Sequence, residues 1–249
     1  VFVNPAALCK ELATIMPDNV KIFEDTPVLS MQSGSKHVLE CPEGTIKSKN
    51  ILLTTNAFIT KLGFLKRQVF PLIACASLTH TLNAHEIDYM RGGSEWGVTG
   101  PTTVRRTQDN RILIRNGTYY GKNFKLTQDN QKRLQTNHRQ SLIRRFPMLN
   151  KVKFEFTWAG VYCMTSNWMS HFGRIKPGIY VALGYCGVGL ARGAASGTLL
   201  AEYALGAETS LIKDIETISR PSKLPFEPIL KIGINAHLMK YRWDIRKEL

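Results

Sequence analysis

The sequence predicts a chain that is α/β in one part and α+β in another, and three stretches carry that expectation. Residues 178–206 run from a β-branched apolar segment, Gly178-Ile-Tyr-Val-Ala-Leu183, through a glycine turn into GLARGAASGTLLAEYALG, the strand–turn–helix order of an α/β unit. The first sixty residues read as the later part of the same kind of unit. Between Val69 and Arg115 the apolar segments are short, alternating and separated by turns, as in an antiparallel sheet.

Taken in order, Asn4-Pro5 is a helix start, an N-cap side chain followed by proline at the first helical position. Leu8, Leu12 and Ile15 form an apolar stripe on that helix, which Pro17-Asp18-Asn19 ends. Residues 20–24 and 26–29 are expected as two short strand pieces. Residues 37–41 and 45–47, separated by Pro42-Glu43-Gly44, read as a hairpin, and 50–57 as a buried strand ending in a polar turn. Segments 69–82, 95–100, 103–106 and 111–115 are the antiparallel strands, with Asp109-Asn110 as a hairpin turn. A helix over 127–145 turns Leu134, Leu142 and Ile143 inward and stops at Phe146-Pro147. Residues 151–157 return as a strand, and 158–173 are expected to be irregular. After Gly189, Leu190, Ala194, Gly197 and Ala201 share one helical face, a small-residue stripe expected to lie against the preceding strand. The segment 220–225, Arg-Pro-Ser-Lys-Leu-Pro, excludes regular helix before an amphipathic helix over 228–239.

At 249 residues, with 43% hydrophobic and 21% charged, the chain has an ordinary globular composition and is long enough for two domains. No apolar run approaches the roughly 20 residues of a membrane-spanning helix. The start, Val1-Phe-Val-Asn-Pro5, has neither the basic nor the long apolar region of a signal peptide, and without methionine it reads as that of a fragment or processed chain. Five scattered cysteines with no C-x-x-C spacing point to a reducing, cytoplasmic setting, and the six histidines show no metal-ligand spacing. The net charge of +14 is local: residues 104–145 hold eleven Lys/Arg against two acids. Such a stretch is either a solvated face or a surface for nucleic acid or an acidic partner, with Tyr119, Tyr120 and Phe124 as interleaved aromatics.

Chemistry concentrates at residues 184–189. Gly184, Gly187 and Gly189 let the backbone turn sharply and approach a bound group closely. The following helix aims unpaired N–H groups and its positive dipole end at one spot, suited to a phosphate or an electron-rich ligand edge. Tight packing of strand on helix would account for the same glycines. The order Gly-x-x-Gly-x-Gly is not the dinucleotide fingerprint, and no acidic residue follows where a ribose partner belongs.

Six segments resemble one family. They are Asn4-Pro-Ala-Ala-Leu8, Phe23-Glu-Asp-Thr-Pro-Val28, Ile51-Leu-Leu-Thr-Thr-Asn-Ala57, Trp158-Ala-Gly160, Asn167-Trp-Met-Ser-His-Phe-Gly173 and Gly184-Tyr-Cys-Gly-Val-Gly189. In this order they resemble the FAD-dependent oxidoreductases of the D-amino-acid-oxidase type, in particular γ-glutamylputrescine-oxidase-like members, which share a W-(G/A)-G…T-x-N-x-M-x-H-F-G pattern. The resemblance covers essentially the whole chain but only the later portion of a family protein. It implies the later part of a FAD-binding α/β domain (1–64 and 151–207) with an inserted antiparallel-sheet substrate domain (65–150) and a C-terminal tail (208–249). The family's leading G-x-G-x-x-G turn, which holds the FAD pyrophosphate, and its ribose-binding glutamate have no counterpart here. The resemblance therefore also implies an N-terminal segment of the same protein as partner.

The resemblance assigns Val28 to a backbone contact with the adenine and Asn56 and Ala57 to the end of a strand passing the cofactor. It assigns Tyr185, Cys186, Gly187, Val188, Gly189 and Leu190 to the turn and helix start facing the flavin pyrimidine edge. Tyr162, Thr165, Asn167 and His171 are candidates for the substrate pocket, with packing as the alternative role and a core histidine as the alternative for His171. Arg115 is a candidate cation near the flavin, or a surface arginine. The implied chemistry is oxidation of a C–N bond in a small amine or amino acid by hydride transfer to FAD, with oxygen or another acceptor reoxidising it. No catalytic side chain is assigned. Where amino-acid-oxidising relatives carry R-P-x-T, whose arginine clamps a carboxylate, this chain has Tyr162-Cys-Met-Thr165, which favours an amine. Cys163 does not align with the cysteine of covalent-flavin relatives. A basic binding module built on 104–145, or an inactive remnant of the fold, are the competing readings, with nucleic acid the less favoured partner.

Overall fold

The computed structural model describes residues 3–88, 90, 93–218, 220–244 and 246. The outermost residues of the expected first and last segments, 1–2 and 247–249, lie outside them. Two compact units emerge: residues 1–66 with 168–221, and residues 67–167 with 222–249. The boundary expected at 151 thus moves to 168, because the strand over 154–164 pairs inside the second unit. The tail expected from 208 is divided between the two.

The chain opens with α1 (Pro5–Thr14), where the Asn4 carboxamide accepts from the Ala6 and Ala7 N–H groups as an N-cap should. Its apolar stripe stays in water: Leu8 is 39% exposed and Ile15 71%. Residues 20–24 form no strand, because a strand exists only with a ladder partner and none pairs with them among the described residues. Residues 26–29 stay irregular too, although the Leu29 N–H donates to the Glu40 carbonyl at 2.8 Å. There follow β1 (Ser30–Gln32), then β2 (His37–Cys41) and β3 (Gly44–Ser48), a three-stranded antiparallel sheet in which Cys41 faces Gly44 across the hairpin turn. β4 (Ile51–Leu53) then leads into a 3-10 helix, Asn56–Leu62, which buries Ala57 and Ile59.

The middle stretch builds the second unit. β5 (Phe70–Thr79), α2 (Ala84–Asp88), β6 (Trp96–Val98), β7 (Thr103–Arg106) and β8 (Ile112–Tyr120) precede α3 (Gln128–Arg145), and β9 (Phe154–Met164) closes the sheet in the order β6-β7-β8-β5-β9. Asn110 takes a positive φ of 57° at the hairpin turn, with Thr107 and Arg111 exchanging hydrogen bonds around it. α3 is capped by Thr127, and Asp129 and Arg145 suit its dipole at opposite ends. Leu134 and Leu142 are fully buried. Between α3 and the sheet lies a polar chain: Thr157 and His138 Nδ1 both bond the Ser77 hydroxyl, at 2.9 and 2.8 Å, and His138 Nε2 lies 3.1 Å from the Asn116 carbonyl. Burial pushes the His138 ring below the usual histidine range. β9 runs to Met164, so the stretch expected to be irregular from 158 is largely strand.

Four of the eleven cations of the basic stretch are engaged within this unit as follows. Arg105 pairs with Glu95, Arg111 with Asp109 and Glu155, and Arg106 with the Asn110 carboxamide, while Arg139 donates to the Asn150 and Val152 carbonyls.

The chain then returns to the first unit through β10 (His171–Lys176) and β11 (Ile179–Leu183). β11 pairs antiparallel with β10 and parallel with β4, with Ile179 opposite Ile51 and Val181 opposite Leu53. α4 (Gly189–Ala204) packs on β10 and β11 through Leu200, fully buried beside Phe172 and Ala182, with Tyr203 against Phe172 and Tyr180. This is a different face from the expected small-residue stripe: Leu190 and Ala201 are exposed. A leucine and a tyrosine bury more apolar area than alanines and glycines, so they take the sheet. α5 (Ser210–Thr217), within the stretch expected as tail, buries Ile212 and is capped by Thr209. α6 (Ile229–Asp244) belongs to the second unit and packs on β8.

Gly178 fixes where β11 starts. Its φ is +69°, its carbonyl accepts from the Ile51 N–H at 2.8 Å, and a Cβ there would lie 2.4 Å from the Lys49 carbonyl oxygen and 2.6 Å from His37 Nε2. Gly178→Ala combines left-handed strain with a backbone collision and is expected to destabilise the protein by about 1–3 kcal/mol or more, read as a lower urea midpoint.

Candidate functional site

Parallel strands deliver their C-terminal ends to the same edge of a sheet, and in α/β proteins ligands bind at such edges. Here β4 exits into Thr54-Thr55-Asn56 and β11 exits into Gly184–Val188, so the two loops leave side by side from adjacent strands. Asn56 and Ala57 therefore come together with the turn before α4.

That turn is held by unusual backbone angles rather than by bulky packing. Gly184, Cys186 and Gly187 have φ of 80°, 50° and 89°, and the Val188 N–H closes onto the Tyr185 carbonyl at 3.0 Å. Cys186 is buried, with its thiol donating to the Gly184 carbonyl at 3.2 Å. Tyr185 is half-buried; burial pushes its phenol up, and the Ser196 hydroxyl of α4 partly opposes this. Gly187, Val188, Gly189 and Leu190 are exposed.

Three features make this edge receptive. No side chain caps α4 at Val188, so the first N–H groups of a 16-residue helix keep their donors and the dipole end unmatched by a cap. A Cβ placed on Gly187 or Gly189 would meet nothing within 4 Å, so the backbone faces open space there. Asn56, at φ 50°, has a buried carboxamide oxygen with no protein hydrogen-bond partner among the described residues. Such an atom costs on the order of 1–3 kcal/mol unless a donor reaches it. Donors facing outward and an acceptor needing a donor fit one edge of a flavin ring, which offers carbonyl oxygens and an N–H together. The unpaired N–H groups at the start of α4 are as the sequence led one to expect, whereas the orphaned Asn56 oxygen is not marked in it beyond an asparagine closing T-T-N-A, a residue tolerant of left-handed backbone.

The other candidates belong to other elements of the chain. Val28 lies two residues before β1, at the separate three-stranded sheet. Arg115, Tyr162, Thr165 and Asn167 all belong to the second unit. Arg115 bonds the Thr103 hydroxyl at 2.8 Å, Thr165 is 1% exposed, and the Asn167 carboxamide oxygen accepts from the Ser222 N–H at 3.3 Å. Tyr162 faces Leu72 across β5 and β9, and Cys163 is buried beside it opposite Pro71. A cavity of about 570 Å³ between α3 and β9 is lined by Gln135, Arg139, Lys153, Glu155 and Thr157, of which Arg139 is a cation of the basic stretch. Among the described residues, no group of three or more histidines, cysteines, aspartates or glutamates is placed to hold a metal ion.

His171 starts β10 opposite Leu183, one residue from the turn, and is 3% exposed. Burial, reinforced by the Arg220 charge, pushes its pKa down to about 4. Between pH 4 and 6.5 the unfolded chain binds the proton and the folded one does not, so stability is complete above 6.5 and falls as the pH drops through this window. The loss approaches about 3 kcal/mol for the whole shift. His171→Gln is expected to flatten that acid limb in a pH series of urea melts.

The family model for FAD-dependent oxidoreductases, DAO, matches residues 1–203. The chain is 29% identical to the probable oxidoreductase OrdL of Haemophilus influenzae over 96% of its own length and 57% of the relative's. It is 26% identical to the gamma-glutamylputrescine oxidoreductase of Escherichia coli over 84% of its own length and 47% of the relative's. It thus spans about half the length of the curated relatives it matches. Among solved structures, glycine oxidase from Geobacillus kaustophilus superposes with a TM-score of 0.62 at 19% identity, over 76% of this chain and 50% of that one. L-proline dehydrogenase from P. horikoshii gives 0.58 at 20%, over 78% and 53%. These two likenesses concern the fold. With the family model covering residues 1–203 of 249, the chain belongs to the DAO family of FAD-dependent oxidoreductases.

Proposed function

We propose that this chain supplies the flavin-ring-facing half of an FAD site in an oxidoreductase that oxidises a C–N bond of a small amine. The observation that carries the reading is the uncapped N-terminus of α4 over open space at Gly187 and Gly189, at the edge where β4 and β11 both end. When bound, FAD supplies the two-electron acceptor for that oxidation. The residues of this chain hold and polarise it. The N–H groups at the start of α4 offer positive potential to the ring edge that gains negative charge on reduction, a preorganised electrostatic contribution made before any electron moves. Asn56 accepts from a donor on the same edge, and Tyr185 and Cys186 brace the turn from within. An amine is favoured over an α-amino acid because Tyr162 stands where a carboxylate-clamping arginine would be expected. Gamma-glutamylputrescine oxidoreductase among the relatives supports the same class. The pyrophosphate- and ribose-holding elements are proposed to come from a further polypeptide segment, since these 249 residues carry no fingerprint for them. FAD binding by this chain is correspondingly weak and reversible.

The test is an absorbance and fluorescence titration of the purified protein with FAD, beside the Val188→Asp variant. Aspartate at the N-cap ties up the same N–H groups and adds negative charge. It is expected to raise stability by about 0.5–2 kcal/mol while weakening FAD binding about tenfold. Wild-type protein that perturbs no flavin spectrum, or a variant that binds as well as wild type, would contradict the reading.

A further inference from the structure

Helix α6 has two apolar faces, and the fold uses one of them. Leu230, Ile234, Leu238 and Arg242, spaced four apart, make the inward face: Leu238 is buried, and Arg242 donates to the Thr118 carbonyl with its guanidinium 4.6 Å from the centre of the Tyr119 ring. On the opposite side Ile229, Ile232, Ala236, Met239 and Trp243 recur at alternating spacings of three and four. Ile232, Met239 and Trp243 are 66%, 69% and 65% exposed, and Phe226 just before the helix is 63% exposed. The stripe is about 20 Å long, and a contiguous apolar strip of that length marks an interaction surface.

Its charges say what covers it. Across Ile229–Asp244 and Arg246 the described residues carry four cations, Lys231, Lys240, Arg242 and Arg246, against one acid, Asp244. Arg242 is engaged on β8; Lys231, Lys240 and Arg246 are exposed, with Arg246 4.2 Å from the Trp243 ring centre. A second copy of the same helix would bring two cationic rims together, which disfavours it as the occupant. An apolar interior bordered by negative charge matches both the stripe and its rim, and tryptophan is the side chain that prefers such a boundary. No described helix is long and apolar enough to cross a membrane, so the contact is with a surface. We propose that α6 lies along a lipid bilayer carrying acidic headgroups, with Ile232, Met239 and Trp243 at the acyl boundary and Lys240 and Arg246 among the headgroups.

The test is cosedimentation of the 249-residue protein with phosphatidylcholine vesicles, with and without phosphatidylglycerol. Binding is expected only with the acidic lipid, weakened by salt and accompanied by a blue shift of tryptophan emission that Trp243→Phe removes. Lys240→Glu with Arg246→Glu is expected to weaken it on the order of tenfold or more. Ile232→Asp with Met239→Asp is expected to abolish it, and a circular dichroism melt checks that these surface changes leave the fold intact. Three results would overturn the proposal: no vesicle binding, binding that survives Ile232→Asp with Met239→Asp, or a concentration-dependent dimer that the same double variant dissolves, which would assign the stripe to a second copy of the chain.

Discussion

The parallel pairing of β4 with β11 is the constraint on which the functional reading depends. Residues 54–56 and 184–188 are more than a hundred positions apart in the chain, and only this pairing sets them at a common edge. The pairing is anchored at Gly178, where a left-handed residue brings its carbonyl onto the Ile51 N–H with His37 and Lys49 pressed close. Any side chain at that position would have to displace backbone. A two-strand parallel contact is a weak ladder by itself, and its security comes from both flanks. β10 pairs along the other side of β11, and α4 seals one face through Leu200, worth roughly 1.5–3 kcal/mol of apolar burial.

With the edge so fixed, the unsatisfied groups there become meaningful. An uncapped helix start, a buried asparagine oxygen without a partner and glycines facing open space are each modest costs to the folded chain. Located together on one sheet edge, they are the groups on which the proposed cofactor contact rests, since a complementary ligand edge would offset those costs. The second unit reaches the opposite outcome with similar groups: the Ser77 hydroxyl bonds both His138 and Thr157 and is left with little for a ligand to use.

Much of this architecture was legible locally. The hairpin around Pro42-Glu43-Gly44, the Asp109-Asn110 turn, the Thr127 cap and the strand–turn–helix at 178–204 each carry their own short-range chemistry, and each forms where that chemistry points. Features decided by partners were not legible. Residues 20–24 have strand composition but no ladder. β9 and β10 extend through aromatic, glycine-containing stretches because neighbouring strands stabilise them. The face of α4 that packs was misjudged because a small-residue stripe looked suited to close approach, whereas burial favoured Leu200 and Tyr203. The candidate site divides the same way. The glycine turn was visible as a motif, and Asn56 only as the end of a strand. The burial of His171 and Thr165, and the tie between Asn167 and Ser222, depend on residues far away in the sequence.

The most direct test of the central claim is an amide-resolved NMR titration of the labelled protein with FAD. Concerted shifts at Asn56, Ala57 and residues 185–190, with the amides of the groove between α3 and β9 unmoved, are the expected result. Shifts confined to that groove or scattered over the basic face, with Gly187 and Gly189 unchanged, would show that the edge of β4 and β11 is not where the cofactor binds.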